Sequence, residues 1–311
     1  MLMIAPDDRQ PGAIKLNVRI DTSSNSKDGT IQFLHHESSD IRKLGLREMY
    51  LSVPQGGAAR RATHVRDILQ AGAHFFKYLT CEPQTGRRVF REGAVQADLY
   101  ELVESKDWVL SRGRAVRQMC ATKRLKMDPT LKAYKVEASK RIGRDEESTQ
   151  YGVQITNNKL EDGLFVWMFF FDCSTFEIRT CAEPRIASAE SRADTLVPGH
   201  KNNSAPQPVP VNFGNSGYPP LQLGLYNGQK LDVGYLRIFM STRYADLSSC
   251  IAQGSMIEED EEDTGTPINP VPAEGGKARG LQGITGKAHL EDLSGFWHVI
   301  TLPLVQEVAK E

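Results

Sequence analysis

The chain lacks the spacings that mark metal and redox sites. Its five cysteines (Cys81, Cys120, Cys173, Cys181, Cys250) form no C-x-x-C pair, and its seven histidines fall into no H-x₃-H pattern. Zinc sites and dithiol redox centres need such pairs to converge on one atom, so no metal and no cofactor is expected. An odd, scattered set of thiols also argues against a disulfide framework and for a reducing, cytoplasmic setting. Long apolar runs are absent too: the longest, Leu164 to Phe171, has eight residues, where a membrane helix needs about 20. Met1 to Asp8 turns acidic at once, without the basic and apolar regions of a secretory signal. A net charge of -1 provides no overall field toward nucleic acid or a membrane surface. The one glycine-rich candidate for phosphate, Gly214-Asn215-Ser216-Gly217, has no following Lys-Ser/Thr and runs into Pro219-Pro220 instead of a helix, which is a turn pattern.

What the chain does have is β texture with one strong helix. Ile14, Leu16, Val18 and Ile20 alternate as in a half-buried strand, and a turn-rich 23–29 leads to a second strand at Thr30 to Leu34, predicting a hairpin. Arg60 to Leu79 is the best helix: Val65, Ile68, Leu69, Gly72, Phe75, Phe76 and Leu79 recur at the helical period, and Pro83 follows. A short strand is expected at Leu99 to Val103 and a second, weaker helix at Trp108 to Lys126. From Lys132 strands follow one another: Ala133 to Ala138, Tyr151 to Thr156, and the run Leu164 to Phe171. Leu221 to Tyr226, Asn227-Gly228 and Gln229 to Met240 read as a type I′ hairpin. Val233 to Met240 is apolar on both faces apart from Arg237, as a central strand would be, and Phe296 to Val305 is a further apolar strand that must dock.

These segments predict a mainly β chain with some α: an antiparallel β-sandwich with one prominent amphipathic helix. Its core is expected around Val153, Trp167, Phe169, Val233, Tyr235, Phe239 and Trp297. Two regions are expected, 1–128 with the helix and 129–311 with the sandwich. The latter carries a disordered insertion at 257–287, made of the acidic block Glu258 to Asp263 and the Gly/Pro-rich stretch after it.

Two places carry chemistry worth weighing. The apolar run delivers Cys173 to a strand end, where a caspase-type nucleophile sits. Such a cysteine needs a histidine base about 50 residues upstream and a small glycine-containing loop after it. The nearest upstream histidine, His74, is 99 residues away, Ser174 to Glu177 contains no glycine, and His74 lies opposite the apolar stripe of its helix, facing solvent. A structural thiol at a strand end is the stronger reading, with a divergent cysteine peptidase using Cys173 as the alternative. His35 and His36 are neighbours, so in a strand one points in and one out. The second place is 87–144, with fifteen Lys and Arg against seven Asp and Glu. Arg112, Arg114, Arg117, Lys123, Arg124 and Lys126 are its candidate partner-binding residues, for a protein or, as a further alternative, for a nucleic acid or carbohydrate.

Tyr151 to Asn158, Asp162 to Asp172, Leu231 to Thr242 and Asp246 to Ser249, in that order, resemble the non-catalytic β-rich extension that follows the peptidase domain of caspase-like proteins (metacaspases, peptidase family C14) in mushroom-forming fungi. Leu16 to Asp21, Ala73 to Phe76 and Leu302 to Gln306 add fainter echoes. The resemblance implies a non-enzymatic interaction or regulatory module in the cytoplasm, with a protein partner that includes a caspase-like protease. It brings no catalytic residue, since in that family the His and Cys belong to the peptidase domain.

Overall fold

The computed structural model describes residues 2–4, 16–21, 30–53, 57–82, 91, 93–111, 114–139, 149–158, 160–184, 197–198, 206–214, 216, 218–226, 228–256 and 297–308. Of these, 2–4, 16, 18–21, 30, 52, 107, 109–111 and 114–116 are described in their backbone only. The segment expected to be a disordered insertion, 257–287, lies outside the described residues.

Fourteen strands and three helices make up the described residues, in three sheets. The first is antiparallel: β1 (Leu2–Ile4), β2 (Leu16–Asp21), β3 (Thr30–His35) and β4 (Glu48–Ser52), with the short α1 (Asp40–Lys43) between the last two. The expected β2–β3 hairpin is present, Leu16 pairing with His35 and Asp21 with Thr30. The central sheet has the order β10 (Ile178–Ala182), β9 (Phe165–Asp172), β13 (Leu231–Ser241), β14 (Trp297–Val308) and β7 (Tyr134–Ala138). The third has the order β11 (Pro208–Val211), β8 (Gln150–Asn157), β5 (Val95–Ser111) and β6 (Arg114–Arg124), with β12 (Leu221–Gln222) also on β8. The helix α2 spans Ala58–Thr80, and α3 is a single turn at Ser248–Ile251.

Side-chain alternation along the central strands separates two cores. Trp167, Phe169, Phe171, Val233, Tyr235, Phe239, Val299 and Val305 face α2 and the first sheet. Their neighbours Val166, Met168, Phe170, Leu236, Ile238, Met240, Leu302 and Leu304 face the third sheet. Period-two geometry sends successive side chains to opposite faces, and both faces here are covered, which is why β9 and β13 carry almost no polar residue. At Gly234 the Phe170 ring fills the space a Cβ would take, with Phe171 O 3.2 Å from that point. The helix buries Ile68, Ala71, Gly72, Phe75, Phe76 and Tyr78, and Phe75 meets Phe171 edge-on with centroids 5.4 Å apart.

Three expectations need correction. Trp108 to Lys126 is not a helix: Trp108 to Ser111 ends β5, and Arg114–Arg124 is β6, the two forming a ribbon. Leu221 to Tyr226 does not pair with the strand after it. Leu221 pairs with Tyr151 of β8, and Leu221, Leu223 and Leu225 enter the second core. Both edges of β13 are already taken by β9 and β14, so a hairpin arm has nowhere to bond. Gly228 has φ +88° in a turn closed by Gln229 N to Tyr226 O at 3.0 Å, while Asn227 lies outside the described residues. The mainly β fold of antiparallel sheets with one prominent helix is as expected, and within the central sheet the β14–β7 pairing is parallel. Finally, a boundary at 128/129 would cut the third sheet, since β5 pairs with β8 from Val95↔Asn157 to Leu102↔Gln150.

Arg237 is a charged side chain fully buried inside the first core. It leaves β13 to meet the C-terminal end of α2, donating to the carbonyls of Tyr78 (3.0 Å), Leu79 and Cys81 (2.7 Å) and to the Glu82 carboxylate (3.1 Å). A helix end leaves carbonyls unpaired and partly negative, so a cation there satisfies both demands. Arg237→Met should lower stability by about 3 kcal/mol, because it strands those buried carbonyls. Arg237→Lys should recover part of the loss. Urea unfolding checks this, and a loss below about 1 kcal/mol for Arg237→Met would rule out the cap as an anchor.

Candidate functional site

The strand-end junction is a tight turn joining β9 to β10. Asp172 N donates to Glu177 O (3.0 Å) and Phe176 N to Asp172 O (3.1 Å), closing the loop with Phe176 in the left-handed region at φ 61°. One Asp172 carboxylate oxygen accepts from Ser174 N (2.8 Å), Ser174 Oγ (2.8 Å) and Thr175 N (3.1 Å). This is the Asx-turn use of an aspartate, which holds a turn by offering the backbone an acceptor. Phe176 then inserts its ring beside Phe75 (5.2 Å) and Phe76 (5.5 Å), and that packing offsets the cost of its backbone.

Cys173 sits inside this turn with no exposed surface, its amide bonded to Val233 O at 3.0 Å. Burial, then the carboxyls of Asp232 and Asp172, push its thiol well above the usual range. A nucleophilic cysteine needs the opposite environment, electropositive and open. The histidine that reaches it is His35, which the 50-residue rule could not find, and it bonds the wrong atom. His35 Nε2 donates to the Cys173 carbonyl at 3.0 Å, which fixes the neutral Nε2-H tautomer. His35 is buried and His36 turns outward to Ser38 Oγ (2.8 Å), as the one-in, one-out reading expects. His74 does not face solvent: it is half-buried, with Nε2 3.1 Å from Ile251 O and its ring edge-on to Tyr78. The chain after β13 covers that side of α2, a contact the helix pattern cannot show.

The same turn contains a pair of acids that sequence reading missed. Asp232 on β13 lies next to Asp172 on β9, the two being 1 % and 6 % exposed. Asp232 accepts from Val233 N (2.7 Å) and, at 3.5 Å, from Gln306 Nε2. Burial first and Asp172 second raise the Asp232 carboxyl well above the usual range, and burial raises Asp172. The first sheet is clipped here as well, through Tyr50 N to Ser174 O at 2.9 Å. Among the described residues no cluster of three or more His, Cys, Asp or Glu could hold a metal ion.

The basic candidates lie on the β5–β6 ribbon. β8 covers β5 only as far as Leu102, and beyond it β5 and β6 pair with each other, from Val103↔Cys120 to Ser111↔Arg114. Arg124 pairs with Asp98 (2.5 Å), Lys123 with Glu101 (2.7 Å) and Arg117 with Glu104 (3.4 Å) across the strands. The structure thus brings three of the six candidates together, each facing an acid. Lys126 is exposed just past β6, Arg114 lies on β6 with its side chain undescribed, and Arg112 is outside the described residues. Sequence reading passed over Trp108, which is 62 % exposed, with the Arg117 guanidinium 4.9 Å from its ring centre, and over Val103, 50 % exposed. The dipeptide Arg112-Gly113 between two strand-like arms was the available signal for a hairpin.

Two outcomes follow for the turn. Cys120, exposed on β6, should react with a thiol reagent at neutral pH, while Cys173 stays unmodified until the protein is unfolded. Mass mapping of the labelled residues checks this, and fast labelling of Cys173 in the folded protein would refute it. Burial holds His35 near a pKa of about 4, against an unfolded value of 6.5. Its contribution is complete above pH 6.5 and is lost as pH falls toward 4, at most about 3 kcal/mol. His35→Gln should flatten that part of the stability profile, and an unchanged slope between those values would show that His35 does not set it.

No family model matches the chain, and no curated protein and no solved structure matches it.

Proposed function

We propose that this chain is a non-enzymatic β-rich interaction module that binds another protein through the β5–β6 ribbon. The exposed Trp108, braced by Arg117 on strands that extend beyond β8, is the observation that carries this reading. A tryptophan and an arginine held in place at a protruding surface are the residue types that dominate binding energy at protein interfaces. Lys123, Arg124 and Lys126 rim the patch and set orientation and approach more than affinity. The resemblance of the β-rich segments to the extension of fungal caspase-like proteins supplies the setting, a cytoplasmic partner such as a caspase-like protease.

The two alternatives draw less support. A peptidase using Cys173 would have to work from a buried, hard-to-ionise thiol whose nearest histidine bonds a carbonyl. A nucleic-acid surface would have to break the pairs that Arg117, Lys123 and Arg124 make with Glu104, Glu101 and Asp98, which lessens the gain from counterion release.

A photo-reactive amino acid at position 108 should form one discrete protein adduct in a native extract. Once that partner is purified, Trp108→Ala should weaken binding by about 2 kcal/mol, roughly 30-fold, and a change at the exposed Lys230 just before β13, Lys230→Ala, should not. Equal affinity of wild type and Trp108→Ala would discard the ribbon as the contact surface. Salt-sensitive retention on duplex DNA, lost in a Lys123→Glu, Arg124→Glu double variant, would favour the nucleic-acid alternative instead.

A further inference from the structure

The geometry points to a proton latch: Asp172 and Asp232 together hold one proton, carried on Asp232, and that proton keeps β3 and β4 docked on the central sheet.

Donor counting carries the argument. Asp172 accepts three hydrogen bonds on one oxygen, from two backbone amides and the Ser174 hydroxyl, the pattern of a carboxylate that keeps its charge. Asp232 has one amide and a long contact to the Gln306 side chain. The Ser174 hydroxyl proton goes to Asp172 at 2.8 Å. With a proton on Asp232, the pair carries one charge, held on the carboxylate that has three donors. Without it, two buried anions lie on neighbouring strands with donors enough for one. Two carboxylates sharing a site cannot both ionise cheaply.

Among the described residues no cation acts on Asp232. The pair faces Cys173 within the turn, and Asp172 also faces Tyr226 in the segment before β13, both of them neutral acids held above their ordinary values. His35 of β3 is neutral and spends its N-H on Cys173 O. From β14 comes only the uncharged Gln306. The exposed Arg179 of β10 interacts with Glu177 in the turn and with Asp172, which favours placing the charge of the pair on Asp172.

Mechanical consequence follows from the same turn. Cys173 O and Ser174 O are the acceptors for His35 of β3 and Tyr50 N of β4. When the second carboxyl ionises, the turn must open to hydrate it, and both clips go with it. A carboxyl raised in the folded state contributes stability that is complete below its unfolded value and is lost as pH rises through its folded value, so the latch opens on the alkaline side.

The test uses the full chain, ¹³C-labelled at the aspartate carboxyls, and a thiol reagent. Carboxyl NMR at pH 7 should show a buried aspartate still protonated, and its signal should vanish in Asp232→Asn. As pH rises, Cys173 in the wild type should lose its protection, measured against Cys120 in the same molecule to correct for thiolate content. In Asp232→Asn, which cannot ionise, protection should persist, leaving labelling at least about tenfold slower at the alkaline end. Identical pH profiles in the two proteins would overturn the latch. Wild-type spectra with every aspartate ionised at pH 7 would overturn it too, whether or not the variant folds.

Discussion

A guanidinium buried in an apolar core is what joins helix to sheet in this molecule. Arg237 leaves the middle strand of the central sheet and ends on the carbonyls that α2 cannot satisfy for itself. Hydrophobic contact alone would let the helix slide or rotate over β9 and β13, since aromatic faces accept many arrangements. The cap fixes both its position along the axis and its end. With α2 placed, Phe75 and Phe76 meet Phe176, and that ring in turn holds the turn after β9 in its left-handed backbone. The buried acids, the hidden thiol and the clips to β3 and β4 all depend on that turn, so they depend on the helix staying where Arg237 puts it.

This dependence also decides what the conspicuous cysteine does. Its strand delivers it to a loop end, as a nucleophile's strand would, but the loop is folded inward on its own aspartate. Each polar group there has a structural partner: amides meet carboxylate, histidine meets carbonyl. Chemistry at an enzyme site needs donors left over for a substrate. The surface that does have groups to spare lies on the other face, where β5 and β6 outrun β8 and hold a tryptophan in water.

Much of this fold was legible in the residues themselves. The stripe from Val65 to Leu79 gave the helix, and two-sided apolar character placed Val233 to Met240 at the centre of a sheet. Turn residues between two alternating arms gave the β2–β3 hairpin. Failures came where a distant partner decided the outcome. Trp108 to Lys126 has enough helix formers to look helical, yet β8 offers β5 an edge some 50 residues later, and β6 follows β5. Asn-Gly is a strong hairpin signal, but both edges of β13 were claimed by strands elsewhere in the chain. The partnership of Asp172 with Asp232 and the landing of His35 on Cys173 are contacts of this kind. Residue type and spacing say nothing of them until strand register is known.

The position of β14 between β13 and β7 sets an order of assembly. During synthesis β7, β9 and β13 are complete long before residues 297–308 leave the ribosome, yet β7 has no neighbour in its sheet until that strand inserts. Through that interval β13 presents an open apolar edge, the kind that recruits the wrong chain. A nascent chain with such an edge folds late and is exposed to misassembly while it waits. Closing the sheet therefore coincides with the arrival of one distant strand, and a chain interrupted before it would leave its central strand open to others.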